Sequence, residues 1–172
     1  MSDMFDKVTS GQDALTKLIG KIPGFKGYIE RSSRRAADKL LRDQIATHYS
    51  IVRKRVGEIQ QDLVASGELA YLDDLETAAT KLQTFIDKIS NAAYGYSGFF
   101  DAIKINEEEL AKLYEFDSAL LESADEVKRA VDNIEASIGT DGLPASVRHL
   151  VSLTRDLVTT FDLRDEVVTG IN

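Results

Sequence analysis

Two stretches of strict three–four spacing govern what this chain can fold into. Between Leu72 and Phe100, apolar residues fall at Leu72, Leu75, Ala79, Leu82, Ile86, Ile89, Ala93, Tyr96 and Phe100. Between Leu110 and Ile138 the same rhythm runs Leu110, Leu113, Asp117, Leu120, Ala124, Val127, Val131, Ile134 and Ile138. Only Asp117 breaks its apolar character. A sustained repeat of about 3.5 residues predicts a long amphipathic helix. Two in succession with a short connection predict an antiparallel hairpin packed along a seam.

The rest of the chain supplies further helices. From about Tyr28 to Ala65, Leu41, Ile45, His48, Val52, Val56, Ile59 and Leu63 recur at steps of three and four, and Gly67 follows as a left-handed cap. Asn106 with Glu109 three residues on forms a capping box for the Leu110 helix. Gly139 to Gly142 ends that helix, and Pro144 sits in the first turn of a last helix carrying Val147, Leu150, Leu157 and Phe161. A short amphipathic helix over Ser2 to Ile19 presents Phe5, Val8, Leu15, Leu18 and Ile19. Between it and the Tyr28 helix, the string Lys21-Ile22-Pro23-Gly24-Phe25-Lys26-Gly27-Tyr28 reads as a structured turn. The expected fold is therefore all-α, a single domain: an antiparallel bundle of four long helices with a short N-terminal helix. At 172 residues it is long enough to bury a core.

Composition excludes several chemistries. There is no cysteine, so disulfides, thiol catalysis and Cys-ligated metal sites are out. The two histidines, His48 and His149, lack the Glu three residues earlier that di-iron bundles use, and no zincin motif occurs. No Gly-x-Ser-x-Gly elbow is present, and the glycines and lysines near residue 21 lack the spacing of a phosphate-binding loop. No catalytic, metal or cofactor residue is therefore assigned. No apolar run approaches the ~20 residues of a spanning helix, and no secretory signal is legible, so a cytoplasmic protein is expected.

The net charge of −8 hides a gradient: residues 1–60 sum to +5 and residues 61–172 to −13. Opposite halves of this kind attract each other within one chain, between copies, or through the basic part toward an anionic surface. The basic stretch lacks interleaved aromatics and most of the chain would repel a duplex, so nucleic acid is not an expected partner. Lys21, Lys26, Arg31, Arg34 and Arg35 are the candidate basic contacts. Tyr94, Tyr96, Phe99 and Tyr114 are candidate contacts on an aromatic cluster at the hairpin tip. Asp117 is expected to be a buried carboxylate with a partner, since an unpaired one is costly; His48, Tyr96 or an arginine of the basic helix are the options weighed. His48, beside the apolar stripe, is expected to be a second buried polar group.

The string Lys21 to Tyr28 followed by Arg34-Arg35-Ala36-Ala37-Asp38-Lys39-Leu40-Leu41-Arg42 resembles an uncharacterised bacterial all-helical family, which implies the fold but no function. The layout is also similar to that of the phage-shock and vesicle-inducing membrane-remodelling proteins, with a short amphipathic helix, a Leu18-Ile19-Gly20-Lys21 end, a proline break and long helices. Here an extra helix precedes the hairpin and the long alternating-charge seam is missing. The function best matching these features is a non-enzymatic interaction or scaffold protein, acting on a protein partner or on itself as a homodimer. The alternatives are a membrane-surface protein binding anionic lipid through the N-terminal helix and basic residues 21–42, and a small-ligand binder or enzyme.

Overall fold

The computed structural model describes residues 14–22, 24–26, 34–92 and 107–169, with side chains for 14–22, 24–26, 39–92, 112 and 114–164. Among these residues every regular element is helical. Four long helices follow in order: α1 Arg34–Ser66, α2 Leu72–Asn91, α3 Glu107–Ser137 and α4 Leu143–Thr169. A 3₁₀ turn, Leu69–Tyr71, leads into α2, and residues 14–21 form a helical N-terminal segment.

Each helix exists because its apolar stripe has somewhere to go. The stripe of α1 is Leu41, Ile45, Tyr49, Val52, Val56, Ile59 and Leu63, all buried. Tyr49, not His48, takes the third place; His48 is exposed and its Nδ1 reaches only the Gln44 carbonyl one turn back, at 2.8 Å. A step of four from Ile45 keeps the stripe on the core side, and a step of three would have rotated it toward water. The expectation of a buried His48 is corrected accordingly.

The stripe of α2 is wider than a single seam: Ala78 and Phe85 are buried beside Leu75, Ala79, Leu82, Ile86 and Ile89. The same doubling occurs in α3, where Ser118, Leu121 and Ala130 join Asp117, Leu120, Ala124, Val127, Val131 and Ile134. A doubled stripe covers more of the helix circumference than a narrow coiled-coil seam and meets two neighbours rather than one. Extended contacts join α1 to α2, α3 to α4, α2 to α4 and α1 to α3. Among the described residues α2 and α3 share no comparable contact, so the expected hairpin between them is corrected: the partner of α2 in sequence is α1, and that of α3 is α4.

Short turns explain that pairing. At Gly67, φ is 80°, the Glu68 N–H donates to the Leu63 carbonyl at 2.9 Å and the Gly67 N–H to Val64 at 3.2 Å, which together make a Schellman cap. Gly139, with φ 78°, ends α3 in the same left-handed conformation, and Ser137 and Ser146 hydroxyls meet across that turn at 3.1 Å. Leu18, Ile22 and Phe25 from the N-terminal segment complete the core. Lys17 and Lys21 pair with Glu122 and Asp125 on α3, at 3.1 Å each.

Candidate functional site

The turns hold one end of each helical pair, and a buried arginine closes the other. In α3–α4, Asp117 is 1% exposed and Arg164 0%. The Arg164 Nε donates to Asp117 Oδ1 at 2.6 Å and Nη2 to Oδ2 at 3.2 Å. The fork geometry of the guanidinium matches the two carboxylate oxygens, giving a bidentate charge-assisted pair. The expectation that Asp117 is buried and hydrogen-bonded therefore holds, with a partner from the last helix instead of those considered. In α1–α2, Arg42 is 3% exposed and its Nη1 donates to the Ile89 carbonyl at 3.3 Å. That carbonyl lies in the last turn of α2, where the helix dipole is negative and a cation is favoured.

A third buried polar contact ties the two pairs together. The Tyr49 hydroxyl donates to the Leu120 carbonyl at 2.7 Å. Burial, first, and the nearby Glu126 and Asp125 carboxylates push its ionisation well above the ordinary phenol range. Its ring meets Phe85 edge to face at a centroid distance of 4.7 Å, and Phe85 meets Phe161 at 5.8 Å. On the surface Lys88 reaches Asp162 at 2.7 Å. Among the described residues no buried side-chain polar atom lacks a hydrogen-bond partner, and no group of three or more His, Asp or Glu comes together so as to hold a metal ion.

A cleft and a trough open on the surface of the described residues. A cleft of about 270 Å³ lies between α1 and α3, floored by Val52, Ala124 and Val131 and edged by Arg55, Lys128 and Asp132. Arg55 is drawn to both Asp132 and Glu135. Ile51 stands at the lip, 63% exposed. Asp125 lines this cleft and also receives Lys21, so the docked N-terminal segment and the open cleft adjoin at that residue. On the other flank of α1, between α1 and α2, runs a trough in two parts of about 250 and 620 Å³ that share Gly57, Gln60 and Glu76, and there the Gln60 Nε2 donates to Glu76 Oε2 at 3.0 Å from one helix to the other.

The structure distributes the sequence-predicted residues as follows. Lys21 and Lys26 are exposed, Lys21 in its ion pair. Arg34 and Arg35 open α1, with side chains outside the described set, and Arg31, Tyr94, Tyr96 and Phe99 lie outside the described residues. Tyr114 is half-buried against the core. Sequence reasoning missed Arg164, Arg42, Tyr49 and Ile51. Arg164 was within reach: it continues the Leu150, Leu157, Phe161 stripe by a step of three, which places a cation on the core face opposite an acidic seam position. Ile51 carries no such signal, because an isolated apolar residue on a helix's outer side is ordinary.

No helix among the described residues is long and apolar enough to cross a membrane. No protein-family model matches this chain, and comparison with curated proteins and with solved structures finds no match.

Proposed function

We propose that this chain is a non-enzymatic helical interaction protein, built on an antiparallel four-helix bundle with the N-terminal helix docked alongside, and that its outer grooves receive a helix from a protein partner or a second copy. One observation carries the reading. The chain's own amphipathic segment, residues 14–22 and 24–26, already docks beside α3 by burying Leu18, Ile22 and Phe25 and pairing Lys17 and Lys21. The adjoining cleft continues the same construction, an apolar floor between charged edges, and is left open with Ile51 exposed at its lip. An apolar slot with a polar rim is the usual form of a helix-in-groove site. Arg42, Tyr49, Asp117 and Arg164 support the reading indirectly, because the bonds of these buried groups join one helix to another. In the membrane-surface alternative the N-terminal helix would exchange the core contacts of Leu18, Ile22 and Phe25 for lipid.

A photo-crosslinking residue introduced at position 51, and at exposed position 156 as a control, tests the proposal in the native host. The expected result is a discrete protein adduct from position 51 and none from position 156. No adduct from position 51, together with co-sedimentation of the purified protein with anionic vesicles, would transfer support to the membrane reading.

A further inference from the structure

The trough between α1 and α2 differs from the α1–α3 cleft in three respects, and together they define an occupant. The first is its floor. Gly57 sits in the middle of α1, where a glycine costs about 1 kcal/mol relative to alanine. Nothing in the chain requires it: its φ is not positive, and a Cβ built there would meet no atom within 4 Å. The missing side chain leaves the α1 backbone open to close approach from outside.

The second respect is charge. Asp73, Glu76 and Asp87 line the α2 side of the trough, against Arg53 as the one cation among its lining residues. The sequence around it deepens the imbalance, since no Lys or Arg occurs between Arg55 and Lys81 while Glu58, Asp62, Glu68, Asp73, Asp74 and Glu76 do. The third is an apolar step at one end. Val64 is 56% exposed and lines the trough with half-buried Leu72; Leu69, 59% exposed, follows on the 3₁₀ turn.

We infer that this trough is a docking site for a basic amphipathic helix of a partner protein. This rests on the reading of the chain as an interaction protein and names the surface and the chemistry of what it takes. From Arg53 to Val64 the floor extends roughly 16 Å at ~1.5 Å per residue, enough for about three turns of a bound helix. An apolar anchor on that helix packs on Val64 and Leu72. Its Lys and Arg side chains face Asp73, Glu76 and Asp87, and its backbone approaches α1 most closely over Gly57. A second copy is a poorer occupant of the same trough. A two-fold axis through its middle would lay the Val64–Leu72 end of one molecule on the Thr84–Asp87 end of the other, apolar against polar.

The test uses the full chain and a synthetic peptide of about 18 residues, long enough to cover the trough. It carries leucines at helical i, i+3, i+4 and i+7 spacing and Lys or Arg elsewhere. A second peptide keeps the leucines and replaces the cations by Glu. Binding is followed by fluorescence anisotropy at physiological salt. The expected result is saturable binding of the cationic peptide only, weakened at least about tenfold by Gly57→Leu, which fills the floor, and by Glu76→Lys. Asp156→Lys, an equal charge change on exposed α4, should leave it within about twofold. Glu76→Lys serves as the surface variant should Gly57→Leu alter the melting curve. Binding that Glu76→Lys leaves unchanged, or that Asp156→Lys weakens equally, would overturn the trough as the site while leaving the interaction reading in place. Absence of any saturable binding would overturn the basic-helix inference. Self-association of the chain that disappears in Gly57→Leu would replace the partner helix by a second copy and so overturn it too.

Discussion

The α1–α2 and α3–α4 pairs are alike at one end and different at the other. Each is joined by a short turn with a left-handed glycine, Gly67 in one and Gly139 in the other. Each is closed at its far end by a buried arginine. In α3–α4 the arginine meets a carboxylate in a bidentate pair; in α1–α2 Arg42 meets the Ile89 main-chain carbonyl. The difference teaches where directional polar contacts are needed. A tight turn fixes the relative register of two helices, so apolar side chains such as Leu63, Leu75, Ile134 and Leu143 suffice near it. Far from the turn, apolar packing alone tolerates a sliding helix, and a hydrogen-bonded charge permits one alignment. A carboxylate acceptor makes that alignment costlier to lose than a neutral carbonyl does.

The two closures should therefore respond unequally to loss of their arginines. Arg164→Met removes the bidentate partner of the buried Asp117 carboxylate and should destabilise the protein by about 3–5 kcal/mol, read from urea unfolding. Arg42→Met removes, among the contacts of Arg42, the charged donor to the Ile89 carbonyl, and loss of that contact should cost about 1.5–3 kcal/mol in the same assay. Equal losses would erase the distinction between the pairs.

The contact between the pairs is weaker still. Tyr49→Phe keeps the aromatic packing on Phe85 and removes the hydroxyl that bonds the Leu120 carbonyl, for about 1 kcal/mol at neutral pH. It also has a pH signature. Because the folded protein holds the Tyr49 phenol protonated beyond its ordinary pKa, its contribution is complete below about pH 10 and is lost as pH rises through the raised value. Above about pH 10 the wild type should thus lose up to about 1.4 kcal/mol per pH unit more than Tyr49→Phe. Parallel pH profiles for the two proteins would remove Tyr49 from the account. The smallest effect has the opposite sign. Gly57→Ala, with open space around the added methyl, should raise stability by about 0.5–1 kcal/mol. A loss instead would mean that α1 needs its glycine for its own fold.

The helices themselves were legible in the sequence, because a single spacing rule fixes them. Leu75, Ala79, Leu82, Ile86 and Ile89 announce α2 without knowledge of any neighbour. Which helices touch was not legible, because that depends on the breadth of the stripe: Ala78 and Phe85 in α2, or Leu121 and Ala130 in α3, look optional until two neighbours have to be covered. The same ambiguity placed His48 in the core, where one residue's rotation separates it from Tyr49. Asp117 stood out as an acidic residue in an apolar register, and its burial followed. Arg164 was legible by the same rule, a step of three beyond Phe161, but a cation reads by default as solvated and so was passed over. The trough was invisible for a different reason. Gly57 becomes informative only when the space beside it is known.

The closure of α3–α4 by one interacting pair is tested most directly by a double-mutant cycle of Asp117→Leu, Arg164→Met and the two combined, followed by urea unfolding. Each single change leaves one buried partner behind, so both should be strongly destabilising, by about 3–5 kcal/mol. The combined variant, from which both charges of the pair are gone, should recover to within about 1 kcal/mol of the wild type or exceed it. Additive losses in the combined variant would contradict the account and mean that Asp117 and Arg164 serve the fold separately.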